Sequence, residues 1–450
     1  MVRRSGHNEV MITRRAVLAS IAAAAAPVAA ARTTSPFGPL VEDANEILDL
    51  PQGFGYRVIS TAGQTMDDGL NVPPRADGMA AFAAGDDRLF LICNHENHPA
   101  REGAFGEDNE LLPKLDRRLL YDAGGGITPG TGGTTTLVYA PSSGQVLSRH
   151  LSLAGTEVNC AGGATPWGSW LSCEECFESP GVTRERGRDV HREMRHGYVF
   201  EVDPQQPQRG GAEPLTAMGR FEHEAAAVDP TNGIVYLTED KHRSLLYRFL
   251  PHVPGRLGEG GRLQALALRG QPGFDTRNWE IPGKMPVGQW FEADWIDIQE
   301  PDPASNEVRL AGFADGAARF ARGEGLTLAD GSLFMTATIG GEQRLGQIFE
   351  YRPRRRAGGS LRLLVESGID GVLRNADNLT MAPWGDLVVC EDTAGSCGLI
   401  GVSVEGAQYV LARNRYTSSE LAGICFSPDG KTMFVNIQER GMTLAVTGPW

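Results

Sequence analysis

The feature that most constrains the fold is a unit that recurs along the chain. A polar residue opens a short apolar strand, a turn rich in Pro, Gly and Asp follows, and a second apolar strand ends on acids. The clearest copy opens at His223-Glu224, turns at Asp229 to Gly233 and returns from Ile234 to Glu239-Asp240. Another opens at Asp377-Asn378, turns at Pro383 to Gly385 and closes on Glu391-Asp392, and a third opens at Asn159-Cys160 and closes on Glu174-Glu175. Fainter copies run from Asp77 to His95-Glu96, from Glu324 to Thr338 and from Glu420 to Gln438-Glu439. With 57 Gly and 27 Pro in 450 residues and no long helical pattern, the chain reads as many short strands joined by turns. The expected fold is all-β: a six-bladed β-propeller with irregular loop insertions, formed as one domain by residues 51–450. Arg101 to Gly133 and Gly255 to Asn278 are the expected loops. A pair of irregular β-sandwiches is the competing architecture.

In an antiparallel hairpin the first residue of one strand lies beside the last of its partner. Six radial hairpins would therefore bring their polar starts and acidic ends to one mouth of a central channel. The converging set is Asp77, His95, Glu96, Asn159, Cys160, Glu174, Glu175, His223, Glu224, Glu239, Asp240, Glu324, Asp377, Asn378, Glu391 and Asp392. Crowded carboxylates raise one another's pKa unless cations neutralise them. Oxygen donors in this number suit calcium, which takes about six to eight, and a thiolate beside them points to a transition metal. Taken singly, a strand-end acid is commonly solvated or paired with arginine, His223 reads as a packed histidine and Cys160 as a small core residue. Doubled acids at three equivalent positions are what favour a common site.

The formal charge of −14 disfavours nucleic acid as a partner. Thr13-Arg14-Arg15-Ala16-Val17-Leu18, the apolar run Ala19 to Ala31 and the small residues Ala29-Ala30-Ala31 read as a twin-arginine signal over residues 1–31, cleaved near Ala31, with 32–50 as an N-terminal segment. The run is too short and too rich in alanine for a stable membrane anchor. The expected partner is the twin-arginine export machinery, the expected location periplasmic or secreted, and the expected state a monomer. Seven cysteines leave at least one unpaired, for which Cys160 is the candidate; Cys173 and Cys176 read as a disulfide or two buried thiols.

Asn94-His95-Glu96, Asn159-Cys160-Ala161-Gly162-Gly163 with Thr165 to Gly168, Cys173-Glu174-Glu175, Gly219-Arg220-Phe221 with His223-Glu224, and Asp377-Asn378-Leu379 together resemble the PhoX-type alkaline phosphatases. The resemblance implies a propeller, iron held partly by a cysteine thiolate, calcium held by carboxylates, and hydrolysis of phosphate monoesters at alkaline pH. By position it implies Cys160 as an iron ligand with Glu174, Glu175 and Glu224 near it. Glu96, Glu239, Asp240, Asp377, Asn378, Glu391 and Asp392 would share the remaining metal positions. Cys160, Glu224, Arg220 and His223 are the expected catalytic residues, and Arg220, Lys241 and His242 the nearest positive groups for a phosphate. Two other readings fit an acid-rich propeller mouth: a calcium-dependent lactonase or organophosphate hydrolase, which needs no thiolate, and a secreted metal-bound propeller without turnover.

Overall fold

The computed structural model describes residues 34–209, 211–354 and 358–450. The expected signal at 1–31 lies outside the described residues, and among these no helix is long and apolar enough to cross a membrane. The protein is all-β and propeller-like, with one short α-helix, Val308–Ala314, among the described residues.

The recurring sequence units are antiparallel hairpins. We number their strands β1 (Ala76–Ala83) and β2 (Leu89–His95), β3 (Asn159–Ala164) and β4 (Trp170–Glu174), β5 (His223–Val228) and β6 (Val235–Glu239), β7 (Gly323–Ala329) and β8 (Ser332–Ala337), β9 (Ala376–Met381) and β10 (Leu387–Glu391), and β11 (Leu421–Phe426) and β12 (Met433–Ile437). Small residues and alternating aliphatics suit strands packed on both faces. Turn glycines such as Gly233 and Gly385, at φ 75° and 87°, supply the left-handed backbone that closes two of the turns.

Every one of these hairpins carries a β-bulge near the start of its first strand, for instance between His223 and Ala226 and between Ala376 and Leu379. A bulge twists and re-aims the chain. The odd-numbered strands pack side by side in the cyclic order β1, β3, β5, β7, β9, β11 and back to β1, closing a ring around an axial channel.

Outer strands extend the hairpins. Gly133–Ala140 and Gln145–Ala154 complete a four-stranded sheet with β1 and β2, and Val199–Val202 adds to β4. A nine-stranded sheet runs from β5 and β6 through five intervening strands to β8 and β7. At the end of the chain, Met442–Thr447 pairs with Gly55–Thr61, so an N-terminal strand finishes the sheet begun by β11 and β12 and ties the two ends of the chain together.

The two expected loops differ. Residues 101–132 are irregular, with four short 3-10 turns, whereas the 255–278 segment contains a strand, Gly261–Leu268. Its run Leu263 to Leu268 is buried throughout, with the Gln264 amide donating to Asp297, so packing overrode the flanking glycines that suggested a loop.

Candidate functional site

Beyond the last paired residue of each second strand, one backbone N–H donates to the carbonyl just before the first strand. The six bonds are Glu96 to Arg75, Glu175 to Val158, Asp240 to Glu222, Thr338 to Arg322, Asp392 to Asn375 and Gln438 to Glu420, at 2.9–3.3 Å. Three positions of a hairpin can therefore supply axial side chains: the residue before the first paired one, the residue after it, and the residue past the end of the second strand. The first two straddle a strand residue and so share a side.

All thirteen residues lining a half-open cavity of about 250 Å³ come from these three positions. Before the strand lie Arg75, Arg322 and Glu420; after its first paired residue lie Asp77, Cys160, Glu224, Glu324 and Asp377; past the second strand lie Glu96, Glu175, Asp240, Asp392 and Gln438. Arg75, Val158, Arg322 and Asn375, all preceding a first strand, adopt positive φ of 47–54°. Non-glycine residues held there cost on the order of 1 kcal/mol each, a strain that the repeated backbone bond sustains.

Nine carboxyl groups and one thiol face two guanidinium groups in this cavity. Arg322 grips Asp240 with two hydrogen bonds of 2.7 Å and approaches Glu324 at 2.7 Å and Asp392 at 3.7 Å. Arg75 pairs with Glu96. Burial and then the neighbouring Glu96 raise Asp77 to about 7. Burial, followed by the surrounding acids, holds Glu175, Glu224, Glu324, Asp377 and Glu420 well above the usual carboxylate range. The Cys160 thiol is pushed up by burial, then by Glu224 and Glu175, and its Sγ lies 3.3 Å from the His223 carbonyl.

Three donor sets have atoms within 4.8 Å of one another here: Cys160, Glu175 and Glu224; Glu224, Glu324 and Asp377; and Asp77, Glu96 and Glu420. Gln438 adds a buried Oε1 without a hydrogen-bond partner. A thiol, many carboxyls and an unpaired amide oxygen form a donor set that fits cations of two kinds, hard and softer.

Of the expected site residues, Cys160, Glu96, Glu175, Glu224, Asp240, Asp377 and Asp392 line the cavity, as do Asp77 and Glu324 from the wider converging set. Glu174, Glu239 and Glu391 do not. Each is the last residue of its second strand and points the other way from its doubled partner. Glu174 accepts from the Glu157, Gly197 and Tyr198 amides at 3.0, 2.9 and 3.2 Å and from His196 at 2.7 Å, so although it lies with Cys176 and His196 in a fourth donor set, its oxygens are taken. Glu239 meets the Tyr247 hydroxyl at 2.9 Å and Arg309 at 3.4 Å, and Glu391 meets Arg413 at 2.6 Å and the Arg374 and Gly398 amides.

His223 is a packed histidine, stacked on Phe221 at 3.7 Å with Nε2 against the Gly219 carbonyl. Arg220 is fully buried, bonds the carbonyls of His196, Pro303 and Glu178 and lies 3.8 Å over Phe177, far too committed to meet a substrate. His95 bridges the Pro74 carbonyl and Thr135, and Asn159 bonds Thr156 and Ser172. Asn378 accepts from the Gly423 amide and lines a separate, wider stretch of the axial channel of about 400 Å³. Lys241 pairs with Glu222 at 2.7 Å. All seven cysteines are free and buried, so Cys173 and Cys176 are thiols rather than a disulfide.

Sequence reasoning missed Arg75, Arg322, Glu420 and Gln438. The signal was present: Arg75 and Arg322 stand two residues before Asp77 and Glu324, at the same offset that separates Glu222 from Glu224.

A ring of β-hairpins whose equivalent positions gather acids and a thiol around the axis defines a propeller-like protein with a candidate metal centre. The family model described as alkaline phosphatase PhoX matches residues 35–441. The chain belongs to that family, and its class is that of the phosphoric monoester hydrolases. Among solved structures it is similar to the PhoX of Pseudomonas fluorescens in complex with vanadate, a transition state analogue, at 20% identity over 91% of this chain and 97% of that one, with a TM-score of 0.69. A gluconolactonase of Xanthomonas campestris (13% identity, 92% and 99% covered, TM-score 0.42) and the virginiamycin B lyase of Staphylococcus aureus (12%, 88% and 99%, TM-score 0.39) are similar at a lower level. No curated protein sequence matches the chain.

Proposed function

We propose that the axial cavity hydrolyses phosphate monoesters with iron and calcium held by its side chains. The observation that carries this reading is the arrival of nine carboxyls and Cys160 from equivalent positions into one space of about 250 Å³. Cys160, Glu175 and Glu224 would hold iron; Glu324, Asp377, Asp77, Glu96 and Glu420, with Asp240 and Asp392, would hold calcium. Glu224 belongs to two donor sets and links the kinds. Bound metal supplies Lewis-acid stabilisation of phosphoryl oxygens and lowers the pKa of a water.

The chain's own part is enclosure and orientation. Arg75 and Arg322 present planar guanidinium forks suited to phosphoryl oxygens, and their carboxylate partners fix where those forks point. The cavity is smaller than ordinary ligand pockets of about 300–1,000 Å³, so it admits the phosphoryl group and leaves the alcohol portion at the mouth. Hydrolysis adds water across the ester P–O bond, and the alcohol leaves with the proton.

The same reading makes each hairpin the inner part of one blade of a six-bladed propeller over residues 51–450. It also makes residues 1–31 an export signal that delivers a folded, metal-loaded monomer to the periplasm or beyond. The thiol favours this reading over an oxygen-only calcium lactonase or organophosphate hydrolase, and a non-catalytic propeller remains the outcome if no ester is turned over.

Purified protein is expected to hydrolyse p-nitrophenyl phosphate, to lose that activity in a chelator, and to contain iron and calcium by elemental analysis. Activity untouched by chelator, or a metal-free active protein, sinks the proposal. The doubled acids give a sharper check. Asp392→Asn should lower calcium content and turnover with little loss of stability, whereas Glu391→Gln should lower the melting temperature and leave the metal content intact. Identical behaviour of the two variants would remove the assignment of the cavity-facing acid as the ligand.

A further inference from the structure

The rim of the cavity is not acidic all round. Cavity residue Arg322 is flanked by two loops, 240–244 and 338–346: its amide donates to the Lys241 carbonyl and its own carbonyl accepts from Thr338. Arg277 fastens these loops together, donating to the His242 carbonyl through its guanidinium while its own carbonyl accepts from the Gly341 amide. The Trp279 indole, whose Nε1 bonds the Ile339 carbonyl at 2.9 Å, has the Arg277 and Arg344 guanidiniums 4.2 and 4.5 Å from its ring centre and the His242 ring 6.3 Å away. Leu345, next to Arg344, accepts from the Asn375 amide, and Asn375 in turn accepts from Asp392 of the cavity. His242, Arg243 and Arg344 are exposed, and among the described residues Arg243 and Arg344 form no ion pair. In a chain of net charge −14, this places two cations without an ion pair among the described residues, Arg243 and Arg344, on the loops that flank cavity residue Arg322.

A guanidinium stacked on an indole keeps its hydrogen-bonding edge free and loses little freedom on binding an anion. With one phosphoryl group bound among the cavity side chains, the rest of the ester extends towards the rim. We propose that His242 and Arg344, held by Arg277 and Trp279, form with the exposed Arg243 beside His242 in the chain a second anion subsite that takes a distal phosphoryl group. The preferred substrates are then phosphate esters with two phosphoryl groups on one alcohol skeleton. The inference rests on the phosphatase reading of the cavity.

The test compares 4-hydroxybutyl phosphate with butane-1,4-diol bisphosphate, which differ only in the second phosphoryl group. The loaded enzyme is expected to favour the bisphosphate in kcat/KM by about tenfold at low salt, an advantage that shrinks as salt screens the exposed charges. Arg344→Glu combined with Arg243→Glu, both at exposed positions, should bring the ratio of the two kcat/KM values close to one. A wild-type ratio near one, or a ratio unmoved by the double substitution, overturns the subsite and leaves the phosphatase reading standing. Turnover of neither ester removes the phosphatase reading and the subsite with it.

Discussion

Cys160→Ala is expected to abolish iron binding and cut turnover by more than about a hundredfold, beyond what loss of an outer-shell partner causes, while the protein stays folded and keeps its calcium. The side chain is 3% exposed and its Sγ meets only backbone carbonyls and acids, so the substitution removes one sulfur from a packed wall. Its cost in stability should stay near 1 kcal/mol. Without a cation the thiol stays protonated, because burial first and the Glu224 and Glu175 charges next oppose a thiolate. Elemental analysis together with the p-nitrophenyl phosphate assay reads both effects. Full activity in an iron-free variant would exclude the thiolate from the chemistry.

Raising the pH from 6.5 to 10 is expected to weaken the fold, with His196 adding to the buried acids that also ionise in this range. His196 is fully buried, with Nδ1 2.7 Å from Glu174 and Nε2 3.2 Å from Asp122 and 3.7 Å from Glu157. Burial by itself lowers its pKa, but Glu174, Asp122 and Glu157 outweigh burial and raise it to about 10. A group whose folded pKa lies above its unfolded value stabilises fully below the unfolded value and loses that contribution as pH climbs through the folded one. At about 1.4 kcal/mol per unit, the interval from 6.5 to about 10 amounts to several kcal/mol. Urea unfolding of wild type should therefore show a midpoint that falls across this range. His196→Gln should be less stable at pH 6.5 and should lose less stability than wild type across the same range, since an uncharged amide has no proton to lose while the buried acids still ionise. Parallel curves for the two proteins would contradict the charged clamp. Asp122 lies in the irregular 101–132 insertion, so the clamp also fastens that insertion to the segment after β4.

The hairpins and their common site were legible in the sequence because strand periodicity, turn residues and acids sit close together along the chain. Cys160, Glu175, Glu224, Asp240, Asp377 and Asp392 could be read from that pattern alone. The assignment overreached at the doubled acids. Glu174 and Glu175 look alike in one dimension, but neighbouring strand residues face opposite ways, and only backbone register tells which faces the axis. Arg220 and His223 lie outside the cavity lining: His223 stacks on the nearby Phe221, as its packed reading expected, and Arg220 bonds Pro303, a partner brought in by a loop whose course the sequence does not dictate.

The sequence by itself determined that the chain forms repeated β-hairpins ending in acids, since local alternation and turn chemistry act over a few residues. Only the tertiary structure decided which side chains share the cavity. The bulge in each first strand and the hydrogen bond that closes each hairpin set the direction of every side chain near the axis. Closure of the ring then placed Arg75, Glu420 and Gln438 beside acids hundreds of residues away and Arg322 beside Asp240 and Asp392 on neighbouring hairpins, a juxtaposition that no local pattern encodes.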